Sequence, residues 1–239
     1  MVRAETFSSG VLHKWNINGL LYKDSMYLYS REPIAEAICS DILDLLELNH
    51  VSYSLVDNYI GVTSVSKKLS VCKIDPEIVK VSDLILEDDT DTFLELLLDI
   101  DDKLGLLNMF IFDALVSNPD RHINNIHLKE GKVIILDNGQ ALSSMNGFEI
   151  LPGHWRSQPF EPFHGEQLKF LFNRYSDILD ESIILKIKEI YRRNLEEIIG
   201  KYLETPTKDK IITLILCNKD SILKIYNQVI NTDASISWT

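Results

Sequence analysis

Cysteine is scarce in this chain. Three cysteines, Cys39, Cys72 and Cys217, are spread over 239 residues and form no C-x-x-C pair. An odd and sparse set argues against a disulfide framework and a zinc site and for a reducing compartment, so a cytoplasmic location is expected. Histidine does not rescue a metal reading: His13 and His50 stand alone, and His122 and His127 are five apart on a loop and a strand rather than on one helix face. No apolar run approaches the roughly 20 residues of a membrane-spanning helix. No basic leader with a small-residue end precedes the body, and Val11 to Trp15 already reads as structural. Positive charge is also in short supply. Lys and Arg total 24 against 36 Asp and Glu, a formal net charge of −12. That balance disfavours binding to nucleic acid or an anionic membrane, where a basic patch supplies most of the affinity. The densest acidic runs, Glu87 to Asp91 and Asp99 to Asp102, read first as solvated faces and second as a docking surface for basic partners.

What is present is an ordinary globular composition, 45% hydrophobic and 25% charged, on a chain long enough to bury a substantial core. The first third is rich in extended patterns. Two strands joined at Asn18-Gly19, a type I′ hairpin signal, fill Val11 to Tyr22, with Lys23 ending the second. Pro33 suits the first turn of a helix. Ile34, Ile38, Ile42, Leu45 and Leu46 then recur at helical spacing as far as Leu48. Two more strands are expected over Ser52 to Val56 and Ile60 to Val65, separated by Asp57-Asn58. From Thr92 the pattern turns helical, with a break expected near Gly105, and reaches Val116. Asn146 to Phe163 reads as irregular. Helical patterns return over Glu166 to Tyr175, Glu181 to Leu203 and Lys208 to Ile230. The expectation is an α+β protein of two lobes: a small β-rich lobe over 1–75 and a larger helical lobe over 76–239. Ligands favour the crevice between such units.

The chemistry concentrates between the two helical stretches. Asn118-Pro119-Asp120-Arg121-His122-Ile123-Asn124-Asn125 carries Asp120 five positions before Asn125. Ile126-His127-Leu128 reads as a strand, Glu130-Gly131-Lys132 as a turn, and Val133 to Leu136 as a second strand, followed by Asp137-Asn138-Gly139. A hairpin of this kind has Asn125 at its entrance and Asp137 at its exit, so the two oxygen donors lie side by side. Phosphoryl transfer from a nucleotide needs such a set: one carboxylate to receive the acceptor's proton, and an amide oxygen and a second carboxylate to hold magnesium against the phosphates.

Such chemistry also needs a strand lysine for the phosphates and a helix carboxylate to aim it. Lys23 occupies the strand position. Glu36 lies in the periodic part of the next helix and is preferred over Glu32, which precedes Pro33. A phosphate-covering loop has no G-x-G-x-x-G to represent it. Ser8-Ser9-Gly10, before the first strand, reads equally as that loop or as a frayed terminus.

Taken in order, Tyr22-Lys23, Ala35-Glu36-Ala37-Ile38 leading to His50-Val51-Ser52-Tyr53, Asn118 to Asn125, and Asp137-Asn138-Gly139 resemble the HipA-like serine/threonine kinases, the bacterial branch of the protein kinase-like fold. Gln158-Pro159-Phe160 and Glu166-Gln167-Leu168 extend the resemblance, which covers about residues 8 to 175. It implies an ATP- and magnesium-dependent kinase that phosphorylates Ser or Thr of a protein substrate. In it Lys23 contacts phosphates, Glu36 pairs with Lys23, Asp120 is the catalytic base, His122 supports the loop, and Asn125 and Asp137 bind magnesium. The alternatives carried forward are a catalytically weak pseudokinase or nucleotide-binding regulatory module, and a lipid or small-molecule kinase. The D-R-H-x-x-N spacing also occurs in phosphoinositide kinases, but the acidic charge weighs against a lipid substrate.

Overall fold

The computed structural model describes residues 5–7, 13–24, 32–58, 67–73, 75–81, 100–121, 125–142, 168–179 and 181–236. Strands β1 (Glu5–Phe7), β2 (His13–Ile17), β3 (Leu20–Asp24), β4 (Ser54–Asn58) and β5 (Lys67–Lys73) form one sheet in the order β1-β2-β3-β5-β4. All its pairings are antiparallel. Asn18 and Gly19 join β2 to β3 with φ of 54° and 79°, the two positive values that a type I′ turn requires.

Helix α1 (Glu32–Leu45) packs on this sheet against β3, β4 and β5. Ile38, Ile42 and Leu46 are buried as the helical spacing requires, while Leu45 falls on the outer side. The Ser40 hydroxyl accepts from the Tyr53 backbone N–H at 3.0 Å, fixing the chain as it enters β4.

Strand β6 (Ile78–Lys80) follows and pairs with β7 (His127–Lys129), which pairs with β8 (Lys132–Ile134). The β7–β8 turn is Glu130-Gly131, with φ of 50° and 74°. Helix α2 (Lys103–Val116) packs against β8 and is buried along nearly all of its length. A helix apolar on every side belongs at the centre of a packed unit. Beyond a helical stretch over 168–174 come α3 (Glu181–Lys188), α4 (Arg192–Gly200) and α5 (Thr207–Ile236). α5 packs on α2, α3 and α4. Its Asn218 amide donates to the Leu115 carbonyl and the Ser117 hydroxyl at 3.0 and 2.9 Å. Those bonds cover the C-terminal end of α2, where Ser117 turns left-handed at φ 54° and sends the chain into the Asn118 loop.

Four local expectations are corrected. Asp57 and Asn58 belong to β4 rather than separating two strands, because they pair with Lys68 and Lys67. The partner strand is β5, while 59–66 lie outside the described residues. Lys23 is not the last residue of its strand, since Asp24 still pairs with His13. Gly105 does not interrupt α2. It is the helix's third residue, and its N–H donates to the Asp102 carboxylate at 3.2 Å, so the chain caps before it rather than breaking at it. Glu181 to Leu203 is two helices, because Tyr191 adopts an extended backbone and its N–H donates to the Asn194 side chain. The α+β arrangement of a small antiparallel sheet with α1 and a helical remainder stands as expected.

Candidate active site

Strand β3 carries Lys23 inward, where it is 1% exposed. An ammonium group so deeply buried requires partners. Its Nζ donates to Glu36 Oε1 at 2.8 Å and to Asp137 Oδ1 at 2.9 Å, and it lies 4.7 Å from the centroid of the Tyr53 ring, within cation–π range. Three residues separated by up to 114 positions therefore meet at one nitrogen. Burial alone would lower the Lys23 pKa, but Asp137 and Glu36 hold it well above the ordinary lysine value. Burial pushes the Glu36 carboxyl up, more than Lys23 draws it down. Burial would also raise Asp137, yet Lys23 and Lys14 hold it far below the usual carboxylate range. The charge of the two lysines thus favours the ionised form of Asp137.

Asp137 follows the Ile135–His50 bridge and adopts a left-handed backbone, φ 61°. Asp tolerates this region better than most residues. Asn138 N–H then donates to the second Glu36 oxygen at 3.1 Å, so the loop after β8 is tied directly to α1. Gly139 passes so close that a Cβ there would lie 3.3 Å from Glu32 Cβ and 3.6 Å from Glu36 Oε1. That close approach gives the third residue of Asp137-Asn138-Gly139 a steric reason to be glycine. The Gln140 amide also donates to Glu32 Oε1, which gives the carboxylate passed over in favour of Glu36 a place beside the same loop.

The Asn118 loop is built on a second cluster. The Asn118 side-chain oxygen accepts from Asp120 N–H at 3.2 Å, and its amide donates to Asp113 at 3.0 Å. Arg121 binds Asp113 through two nitrogens, at 2.8 and 2.9 Å. One terminal nitrogen of Arg121 donates to the carbonyls of both Asn125 and Leu136, at 2.7 and 3.1 Å. The other reaches the Asn138 side-chain oxygen at 2.9 Å. A single guanidinium therefore clamps the entrance and the exit of the β7–β8 hairpin together. Burial would depress the Arg121 pKa, but Asp113 more than offsets it.

Asn125 donates its amide to the Asp120 backbone carbonyl at 2.8 Å and to Asp120 Oδ2 at 3.2 Å. This fixes which end of the amide faces Asp120 and leaves the carbonyl oxygen as the end able to hold a cation. Asn125 and Asp137 present oxygen donors, one neutral and one ionised, the set that magnesium takes from a protein when phosphates and water supply the rest.

The structure thus brings together Lys23, Glu36 and Asp137, pairs Asp120 with Asn125, and joins both groups through Arg121 and Asn138. His122 and the Ser8-Ser9-Gly10 segment lie outside the described residues. Sequence reasoning missed Asp113 and Lys14, and gave no role to Asn138 and Tyr53 within the motifs it quoted. Asp113 had a readable signal: it is the lone charge inside the apolar run Met109 to Val116. Lys14 is the cross-strand partner of Lys23, and its Nζ lies 3.6 Å from Asp137 Oδ2.

No family model and no curated protein matches the sequence. Among solved structures the chain is similar to the Helicobacter pylori proinflammatory kinase CtkA, at 15% identity, with a TM-score of 0.59 and 96% of each chain covered. It is also similar to HipA of Shewanella oneidensis, solved in complex with HipB and operator DNA. That likeness has 15% identity and a TM-score of 0.52 over 95% of this chain and 66% of the other. The chain has a HipA-like, protein kinase-like fold.

Proposed function

We propose that this protein is an ATP- and magnesium-dependent phosphotransferase, a Ser/Thr protein kinase of the HipA-like type. The observation that carries the reading is the single Lys23 nitrogen bound to a helix carboxylate, Glu36, and to Asp137 at the hairpin exit. A purely structural lysine gains nothing from being desolvated between two carboxylates of distant elements, whereas a nucleotide kinase needs its phosphate-binding lysine aimed by one of them. We assign 1–75 to the nucleotide-clamping lobe and 76–239 to the catalytic lobe.

In this reading Lys23 neutralises the phosphates and Glu36 holds it in place. Asn125 and Asp137 would hold Mg2+, which when bound supplies shielding of phosphate charge. Asp120, oriented by Asn118 and Asn125, accepts the proton of the acceptor hydroxyl as the hydroxyl oxygen bonds to the γ-phosphorus of ATP and the bond to the β,γ-bridging oxygen breaks, releasing ADP. His122 supports this loop, and Ser8, Ser9 and Gly10 cover the phosphates. The acceptor is a protein Ser or Thr. The acidic surface supports a protein rather than nucleic acid or a lipid headgroup as the partner, and the sparse, unpaired cysteines support a cytoplasmic setting.

The test is intact-mass analysis after incubation with Mg–ATP, beside a panel of proteins, phosphoinositides and aminoglycosides, with Asp120→Ala as control. The expected outcome is phosphate on protein Ser or Thr with the native chain and none with Asp120→Ala, while Mg–ATP still raises the melting temperature of both. Phosphate found only on a lipid or small molecule overturns the protein-kinase reading. Nucleotide binding without any transfer identifies a pseudokinase.

A further inference from the structure

Lys14 has no part in the roles assigned so far, yet it points at the same carboxylate as Lys23. The two lysines face each other across β2 and β3, and Lys14 Nζ lies 3.6 Å from Asp137 Oδ2, while Lys23 Nζ holds Oδ1 at 2.9 Å. The Lys14 side chain is 21% exposed and that of Asp137 23%, whereas Lys23 and Glu36 are almost wholly enclosed. Lys14 and Asp137 therefore form the accessible edge of the cluster.

The charges close. Lys14 and Lys23 carry two positive charges and Glu36 and Asp137 two negative ones, so the group is neutral as it stands. A bare divalent cation reaching Asp137 would have to displace two ammonium groups and leave their charges crowded on adjacent strands. A metal–triphosphate unit is net negative. It offers each displaced lysine a phosphate oxygen in exchange, and charge-assisted bonds of this kind are among the stronger ones available to a side chain.

Resting on the nucleotide-kinase reading, we propose that Lys14 is a second phosphate-binding cation of the site, and that Lys14 and Lys23 together keep Asp137 closed to free Mg2+ until nucleotide phosphates draw them away. Metal and nucleotide then bind as a unit. The ammonium of Lys14 moves from Asp137 to phosphate without any proton transfer, and the freed carboxylate oxygen becomes available to the metal. Lys14 is a binding and positioning residue and not a catalytic one.

The experiment compares the full chain with Lys14→Gln and Lys14→Arg. Affinities are measured for Mg–ATP, for adenosine as a competitor of a fluorescent ATP analogue, and for Mn2+ alone, whose free-ion resonance reports binding. Lys14→Gln is expected to weaken Mg–ATP about tenfold, the scale of one charge-assisted bond. It should leave adenosine within about twofold, because adenosine carries no phosphate to engage this charge. Mn2+ alone should bind Lys14→Gln more tightly than the native chain, since Asp137 has lost a competitor. Lys14→Arg should retain most of the Mg–ATP affinity. Opposite movements of Mg–ATP and of free Mn2+ are not what a misfolded or loosened variant produces. Equal losses for adenosine and Mg–ATP, or no loss for either, overturn the role of Lys14 while leaving the kinase reading intact. Free Mn2+ bound by the native chain as tightly as in the presence of ATP overturns the closed-Asp137 part. A native chain that binds neither adenosine nor Mg–ATP removes the kinase reading and this inference with it.

Discussion

Arg121 and Lys23 are both buried cations held by carboxylates, and they are held in opposite ways. Arg121 grips Asp113 with two bonds, and its remaining donors go to two backbone carbonyls and a side-chain amide. All three elements it joins belong to one stretch, from α2 to the end of the β7–β8 hairpin. Asp113 is fully buried and Arg121 nearly so. Lys23 is held between two carboxylates drawn from α1 and the loop after β8, and the edge of that cluster at Asp137 is open. A guanidinium cannot shed its charge, so Arg121 depends on Asp113 unconditionally. The Lys23 cluster has alternatives: Glu36, whose pKa is already raised, can take a proton, and Asp137 has Lys14 and solvent. The first cluster is closed on every side, and the second has one edge open to solvent.

The sharpest way to break the comparison is Asp113→Ala. It strands a buried guanidinium and should cost about 3–5 kcal/mol, measured by denaturant unfolding. A loss under about 1 kcal/mol would mean that water reaches Arg121 and that it is no scaffold.

Next comes Lys23→Met. It should lower phosphoryl transfer by about 10²–10³-fold, the effect of deleting one preorganised charge that acts on the reacting group. It should destabilise the fold by only about 1–3 kcal/mol, because Glu36 protonates and Asp137 keeps Lys14. If Lys23→Met unfolds the chain as readily as Asp113→Ala, the two clusters are equivalent in kind.

Gly139→Ala is expected to cost about 1–3 kcal/mol, since the new methyl presses on Glu32 in the first turn of α1. It should also weaken Mg–ATP binding, because Asn138 and Asp137 precede it on the loop tied to Glu36. Unchanged stability and unchanged affinity, read by the same unfolding and titration experiments, would show that the loop and α1 are not coupled.

The smallest effect belongs to a peripheral tie that serves as a baseline for both clusters. Tyr202 donates to Asp41 of α1 at 3.0 Å, and burial, aided by Asp41, pushes its pKa up to about 12 from 10. Tyr202→Phe should cost about 1 kcal/mol. A group whose folded pKa is raised contributes its full stability below its unfolded pKa and loses it as pH rises through the folded one. The difference between native and Tyr202→Phe should therefore be constant below pH 10 and shrink between pH 10 and 12. A difference that grows over that window would mean that the fold does not favour the protonated Tyr202 hydroxyl, and that the tie to Asp41 is not what stabilises it.

Much of the candidate site's grouping could be read from residue order. Lys23, Glu36, Asp120, Asn125 and Asp137 were singled out by their order, and the structure brings Lys23 to Glu36 and Asp137 and Asp120 to Asn125. The Glu130-Gly131 turn brings Asn125 and Asp137 to the ends of one hairpin by local geometry alone. The type I′ signal at Asn18-Gly19 was equally local, since two consecutive positive φ values leave few alternatives. Where expectation failed, the deciding partner was distant. Asp57 and Asn58 look like a turn by composition, and only pairing with Lys68 and Lys67 makes them strand. Gly105 looks like a break until the Asp102 carboxylate is seen to accept from Gly105 N–H and from Val133 N–H of β8.

The sequence by itself determined the helical and hairpin segments and the order of the chemical groups, because periodicity, turn residues and spacing act within a few positions. The tertiary structure decided which groups share a charge. The pair Lys23–Glu36 was expected from residue order, but nothing in the sequence announces that Lys14 and Asp137 join it in one neutral cluster. Nor does anything in Asn118 to Asn125 announce that Arg121 clamps the hairpin rather than facing solvent. Electrostatic energy depends on distance and on the removal of water, and both are properties of the packed chain.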